Sequence, residues 1–248
     1  MIIHSYDESA PLIGPGNFYG PQKHLCEICI LTFSHVILEQ MQRLFGLREI
    51  AAMGAANGRI PIYGFDYEGR KLAVCLCGIG ATQAGTNAVE INWLTGATKF
   101  IMFGSAGSLD QAATRGRYVL PTEAYRDEGM SYHYAPAADY IRIRNAEKLA
   151  GIFTELGLPH VGGLVWTTDA FYRETRAQVA ARKAEGCIAV EMELAGVQAV
   201  CDYHGFELYD FLVTGDVLDG PEYQVGGLAS ANHDTDKLMI ALELAERI

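Results

Sequence analysis

Short stretches of apolar residues, each followed by a segment with helical spacing, constrain this chain more than any other feature. The clearest is KLAVCLC, residues 71–77, which has no polar interruption after its first lysine. A strand that alternates apolar and polar residues can leave one face in water, whereas an unbroken apolar strand must be covered on both faces. CEICILTF (26–33), KFIMF (99–103), CIAV (187–190) and ELYDFLV (207–213) read as further strands, with shorter ones near 117–120 and 161–166. Between them VILEQMQRLFG (36–46) and TQAGTNAVEINWLTG (82–96) have helical spacing and a closing glycine. Further helices are expected near 145–156, at 173–185, at 192–204 (MELAGVQAVCDYH) and, as one amphipathic helix, from Ala229 onward. A loop rich in Gly and Ala is expected after the first helix, followed by the polar hairpin-like stretch IYGFDYEGR. Strands alternating with helices imply a single α/β domain over residues 26–248, with a central, mainly parallel mixed sheet flanked by helices on both faces. Residues 1–25 hold three prolines and three glycines and read as an irregular arm.

Charge and cysteine usage narrow the function classes. The 248 residues carry 19 Lys and Arg against 30 Asp and Glu, a formal net charge of −11. An acidic chain without a basic run speaks against nucleic-acid or membrane-surface binding. No apolar stretch approaches the roughly 20 residues that span a bilayer. The start MIIHSYDESAPLIGPG lacks a signal peptide's basic and apolar regions, so a cytoplasmic location is expected. The six cysteines, at 26, 29, 75, 77, 187 and 201, lie mostly in apolar strands and read as reduced core residues rather than a metal site.

In such sheets ligands sit beyond the carboxyl ends of the strands. Three segments end strands with unusual chemistry there: GSAGS after 99–103, VEMELAG after 187–190 and TGDVLD after 207–213. In GSAGS, Gly104 and Gly107 permit a tight turn that presents N–H groups, and Ser105 adds a hydroxyl; this is compatible with an anion-binding nest or an ordinary turn. Glu191 and Glu193 flank Met192 at a helix start, where two-residue spacing sends them about 200° apart. They are therefore expected to have different tasks, although either can simply favour the helix dipole. Asp216 is a cap, or a general acid that needs burial or a nearby anion to hold a proton at pH 7, its reference pKa being about 3.9. Phe171 and Tyr172 can stack on a flat ring or fill core.

Taken together, these segments resemble the nucleoside phosphorylase family of the purine and uridine type, which also contains nucleosidases. FGSAGSLD is similar to its Gly-Ser/Thr-x-Gly segment, AVEMELAG to its Val-Glu-Met-Glu helix start and TGDVLD to its Ser-Asp element. DEGMSYHYAP is similar to a uridine phosphorylase segment, and TTDAFY to a stretch seen across the family. The resemblance implies a small-molecule nucleoside as substrate, no cofactor, and phosphate as co-substrate. It implies that Glu193 binds the ribose hydroxyls with the Met192 backbone, and that Val190, Glu191 and Phe171 line the base pocket above the Ser105–Gly107 loop. Asp216 would protonate the departing base. It also implies a homodimer or trimer of dimers.

The departures concern the acceptor. The family's phosphate loop after the first strand is replaced by LTFSHVI (31–37), without glycine or arginine, and Met102 and Phe103 stand where another phosphate arginine is expected. Arg59 is near the position of the third, which a neighbouring subunit lends. Ser105, Arg59 and His35 are the remaining candidates for phosphate. The nucleosidases place a water-activating glutamate in the first loop; here Ser34 and His35 are its polar residues. Phosphorolysis of a purine or uridine-type nucleoside is the leading expectation. Hydrolysis by a nucleosidase and nucleoside binding without catalysis are the alternatives.

Overall fold

A computed structural model of the chain describes residues 1–56 and 58–248. The strands are β1 (Ile28–Thr32), β2 (Arg48–Ala55), β3 (Gly58–Tyr67), β4 (Arg70–Leu76), β5 (Lys99–Ser108), β6 (Tyr118–Asp127), β7 (Tyr140–Arg142), β8 (His160–Thr168), β9 (Cys187–Glu191) and β10 (Glu207–Val217). The helices are α1 (Gly16–Tyr19), α2 (His35–Phe45), α3 (Ala81–Thr95), α4 (Gln111–Thr114), α5 (Ser131–Tyr134), α6 (Ala146–Glu155), α7 (Arg176–Ala184), α8 (Leu194–His204), α9 (Leu228–Asn232) and α10 (Asp236–Arg247).

All strands join one mixed sheet in the order β10-β6-β8-β9-β5-β1-β4-β3-β2, with β7 beside β6. Strands β1, β4, β5 and β10 run parallel, as do β6, β8 and β9. A further pairing of β10 with β5 closes strands β5, β10, β6, β8 and β9 into a ring. The apolar strands are covered on both faces, with period two. Cys29, Leu31, Ala73, Cys75, Phe100 and Met102 face a core shared with α3 and α8. Ile28, Ile30, Leu72, Val74, Ile101 and Phe103 face a second core shared with α2, α6 and α10. The six cysteines are free thiols, five of them buried.

Several elements differ from the sequence expectations. The Gly/Ala-rich segment is a strand, β2, paired antiparallel with β3. Its small residues carry little strand propensity, but Met53 is buried in the core beneath α3, and tertiary burial outweighs propensity. Helix α7 begins at Arg176 instead of 173: Thr175 and Gln178 form a reciprocal capping box, and residues 171–173 form a separate 3-10 turn. Helix α8 begins at Leu194, leaving Glu191 as the last residue of β9 and Glu193 as the helix cap. The C-terminal tail is two helices, broken at residues 233–235. In the arm, α1 and a 3-10 turn at Ile2–His4 are the helical segments. Tyr19 donates a hydrogen bond to Glu90, and Trp93 donates to the Gly20 carbonyl at 2.8 Å, which ties the arm to α3.

Candidate active site

The ends of β1, β4, β5, β9 and β10 meet at one edge, and Gly107 is its centre. GSAGS, expected as a tight turn after 99–103, is instead the extended end of β5, because β10 and β9 pair with it; Gly107 pairs antiparallel with Val190 of β9 and parallel with Asp216 of β10. A Cβ placed there would lie 2.9 Å from Val190 and 3.4 Å from the Asp216 carboxylate, so glycine lets both strands approach. The β10 register shifts between Thr214 and Asp216, a bulge of the kind that re-aims a side chain at a sheet edge. The bulged residue is Gly215, where a Cβ would meet Ala231 of α9 at 2.8 Å.

The two glutamates have separate environments, as their spacing predicts, though through a strand end and a cap instead of a helix turn. Glu191 is buried. One carboxylate oxygen accepts the N–H groups of Glu193 and Leu194, both at 2.7 Å, and the other accepts the Thr167 hydroxyl. Thr167 in turn accepts the Ala195 N–H at 3.1 Å. The Glu191 side chain is thus turned to the start of α8, which it caps. Glu193 is half-buried and accepts the Gly80 N–H at 2.7 Å, reaching from β9 to the loop after β4. Burial pushes both carboxyls above the ordinary range. Met192 is half-buried beside Glu193, and Val190 is buried against Trp166 and Leu109.

Asp216 is half-buried and stands near two groups that sequence reasoning missed, Glu174 and Tyr223. Burial, and then the charge of Asp216, push Glu174 up to about 7. Phe171 and Tyr172, just beyond β8, are exposed, with ring centroids 3.9 Å apart. A cleft of about 590 Å³ opens on this side, lined in part by Glu174, Arg176, Lys183, Leu218 and Tyr223. Its lining includes neither Asp216 nor Glu193. Asp219, the other acid of TGDVLD, is taken up by Lys183 and by the Gln111 N–H at 3.0 Å. The signal for Glu174 lay in the Thr175-x-x-Gln178 capping box, which places it outside α7. Tyr223 lies in a loop with no periodicity to mark it.

The opposite corner is built from the ends of β1 and β5 and the break between α9 and α10. Ser105 donates its hydroxyl to Asn232, and Ser34 Oγ lies 2.8 Å from His233 Nδ1. His35, exposed at the start of α2, sets its ring edge-on to His233 at 5.4 Å. Ser34, not His35, caps α2, accepting the Ile37 N–H at 3.3 Å. Lys237 of α10 is buried beneath this corner, donates to the Ala231 carbonyl at 2.5 Å, and is pushed down to about 8 by burial. Arg59 does not join this group within the chain: its guanidinium is paired with Glu49 across the β2–β3 hairpin. Asn232 and His233 were not foreseen, because the tail reads as one continuous helix.

This edge joins a ring-closed mixed sheet to paired carboxyl groups. The sequence model of the Phosphorylase superfamily matches residues 28–248, and the chain belongs to that family. It is 27% identical over 198 residues to a DeoD-type purine nucleoside phosphorylase of Caldanaerobacter subterraneus subsp. tengcongensis, covering 74% of this chain and 81% of that protein. Among solved structures it is similar to futalosine hydrolase of Helicobacter pylori, with TM-score 0.71 and 17% identity over 90% of this chain and 98% of that one. It is also similar to the 5'-methylthioadenosine/S-adenosyl homocysteine nucleosidase of Campylobacter jejuni, with TM-score 0.71 and 18% identity over 90% of this chain and 100% of that one. At that identity the likeness to the solved structures is one of fold. Among the described residues, no helix is long and apolar enough to cross a membrane.

Proposed function

We propose that the protein cleaves the N-glycosidic bond of a nucleoside at this edge and passes the sugar to water. The observation that carries the reading is the pairing of Gly107 with both Val190 and Asp216: the strand that leads into the Glu193 cap and the strand that carries the Asp216 carboxyl meet at one residue. Glu193, with one oxygen on Gly80, turns its carboxylate charge to the ribose hydroxyls. Asp216 protonates the departing base. As the bond breaks, charge grows on the base and the sugar becomes cationic, so proton delivery to the base is a large part of the barrier. Glu174 beside Asp216 supplies the proton: burial, and then the charge of Asp216, push Glu174 up to about 7, so it is the carboxyl of the two that holds a proton toward neutral pH and can pass it on through Asp216. Phe171 and Tyr172 offer rings for stacking on the base. The DeoD-type relative, named for purine nucleosides, favours a purine.

Water is favoured as acceptor by the Ser105–Ser34 corner, where the hydroxyls are taken up by Asn232 and His233 and, among the described residues, no arginine bonds to either. Phosphorolysis is the second reading, favoured by the buried Lys237 below that corner and by the activity in the relative's name. The test is to incubate the protein with adenosine, inosine, guanosine and uridine, with and without phosphate. Free base released without phosphate supports hydrolysis; dependence on phosphate, with ribose 1-phosphate as product, supports phosphorolysis. Asp216→Asn is expected to lower turnover by about 10²-fold or more, the scale of a lost general acid. Binding without turnover under every condition overturns the enzymatic reading.

A further inference from the structure

The geometry points to His233 as the base that deprotonates the attacking water, an inference that rests on the hydrolytic reading above. The adjacent residues Asn232 and His233 cross-link two strand ends, one through Ser105 of β5 and the other through Ser34 beyond β1. Their segment is anchored on both sides. Gly227 donates to Gly215 of β10 at 3.0 Å, Ala231 donates to Gly227 at 2.9 Å, and Lys237 holds the Ala231 carbonyl. The imidazole is thereby fixed at the gap between β1 and β5. Ser105 and Gly107 are two residues apart on one strand, which places this corner about 7 Å from the Asp216 line. That span is of the size of a sugar ring with its attacking water.

Ser34 Oγ accepts the Ile37 N–H as a helix cap and is close enough to accept the Nδ1–H of His233 as well. In that tautomer Nε2 keeps its lone pair, and the ring is exposed on its outer side. The water oxygen forms a bond to the anomeric carbon and gives one proton to His233 Nε2. The bond from that carbon to the base breaks, its electron pair stays on the base, and the base takes the proton of Glu174, passed on through Asp216. His233 then releases its proton to solvent and the carboxyl pair regains one, so the sum is nucleoside plus water giving free sugar plus base.

The test is base release from adenosine, inosine and guanosine without phosphate, by wild type and His233→Ala. The side chain is exposed and hydrogen-bonds only to Ser34 among the described residues, so the variant is expected to fold, with a melting temperature lowered by no more than a few degrees. It is expected to lose about 10²–10⁴-fold in kcat, the range for a removed general base, with KM within a few-fold, and to recover part of the rate with added imidazole. Wild-type kcat in the variant, or a loss that imidazole does not restore, overturns the assignment. If wild type itself releases no base, or only with phosphate, the hydrolytic reading fails, which is a separate result.

Discussion

Replacing Glu193 by glutamine tests the sugar half of the site. The Gly80 N–H, at 2.7 Å, keeps hold of one oxygen, so the new amide presents its NH₂ to the ribose in place of a charged oxygen. A hydrogen bond to a charged group contributes about 1.5–3 kcal/mol and a neutral one about 0.5–1.5. The loss is thus about 1–2 kcal/mol for each sugar hydroxyl held, or roughly 5–30-fold, since about 1.4 kcal/mol is a factor of ten. A ribonucleoside offers two such hydroxyls and a 2'-deoxyribonucleoside one. The expected result is a fall in kcat/KM of about 25-fold or more on the ribonucleoside and only about 5–30-fold on its 2'-deoxy counterpart. The measurement is the double-mutant cycle of protein and substrate, with kcat/KM for all four combinations. Equal losses on the two substrates would refute the contact between Glu193 and the sugar diol. The pH response has a definite sign. Burial raises this carboxyl above the ordinary range, and only its ionised form accepts from both hydroxyls. Binding of the ribonucleoside is expected to weaken on acidification, starting at a higher pH than for an ordinary glutamate.

Glu174, pushed up to about 7 by burial and by Asp216, is expected to make kcat/KM fall as the pH rises through about 7, when Glu174 loses its proton. In Glu174→Gln the fall near pH 7 is expected to disappear; an unmoved limb would remove Glu174 from the account. Asp210 of β10 is buried with both oxygens unpaired, and burial, followed by the charges of Glu191 and Glu193, raises it well above the carboxylate range. The folded chain therefore keeps a proton that the unfolded chain releases above about pH 4, and this contribution to stability is lost as the pH rises toward the folded value. Asp210→Val is expected to flatten that decline and to stabilise the fold at neutral pH by about 1–3 kcal/mol, or roughly 2–10 °C in melting temperature for a chain of this size. Urea unfolding of both proteins from pH 5 to 8 decides it, and parallel pH slopes would count against the prediction.

The unbroken apolar strands made the architecture legible, because KLAVCLC and KFIMF have no face that tolerates water. That Glu191, Glu193 and Asp216 lie near the ends of strands followed from the same reading, although Glu191 ends β9 instead of starting a helix and Asp216 lies within β10. Segments whose conformation depends on a partner element were not legible. β2 has little propensity of its own and exists because β3 and α3 cover it. The break at 233–235 lies inside a sequence with continuous helical spacing. Asn232 and His233 bond sideways there to Ser105 and Ser34, and Asp234 accepts the Asp236 N–H at 3.0 Å at the start of α10, a local contact that the helical spacing hid.

The sequence by itself determined that helices would cover both faces of a sheet and which acids would stand at its carboxyl edge. Those are consequences of period and burial, which are local properties of the chain. Only the tertiary structure decided what each group does there. It turned Glu191 inward to cap α8, brought Glu174 to Asp216 from more than 40 residues away, and carried His233 across the chain to Ser34. Hydrogen-bond partners and raised carboxyl pKa values depend on neighbours that lie close in space and far apart in sequence, and no local pattern encodes them.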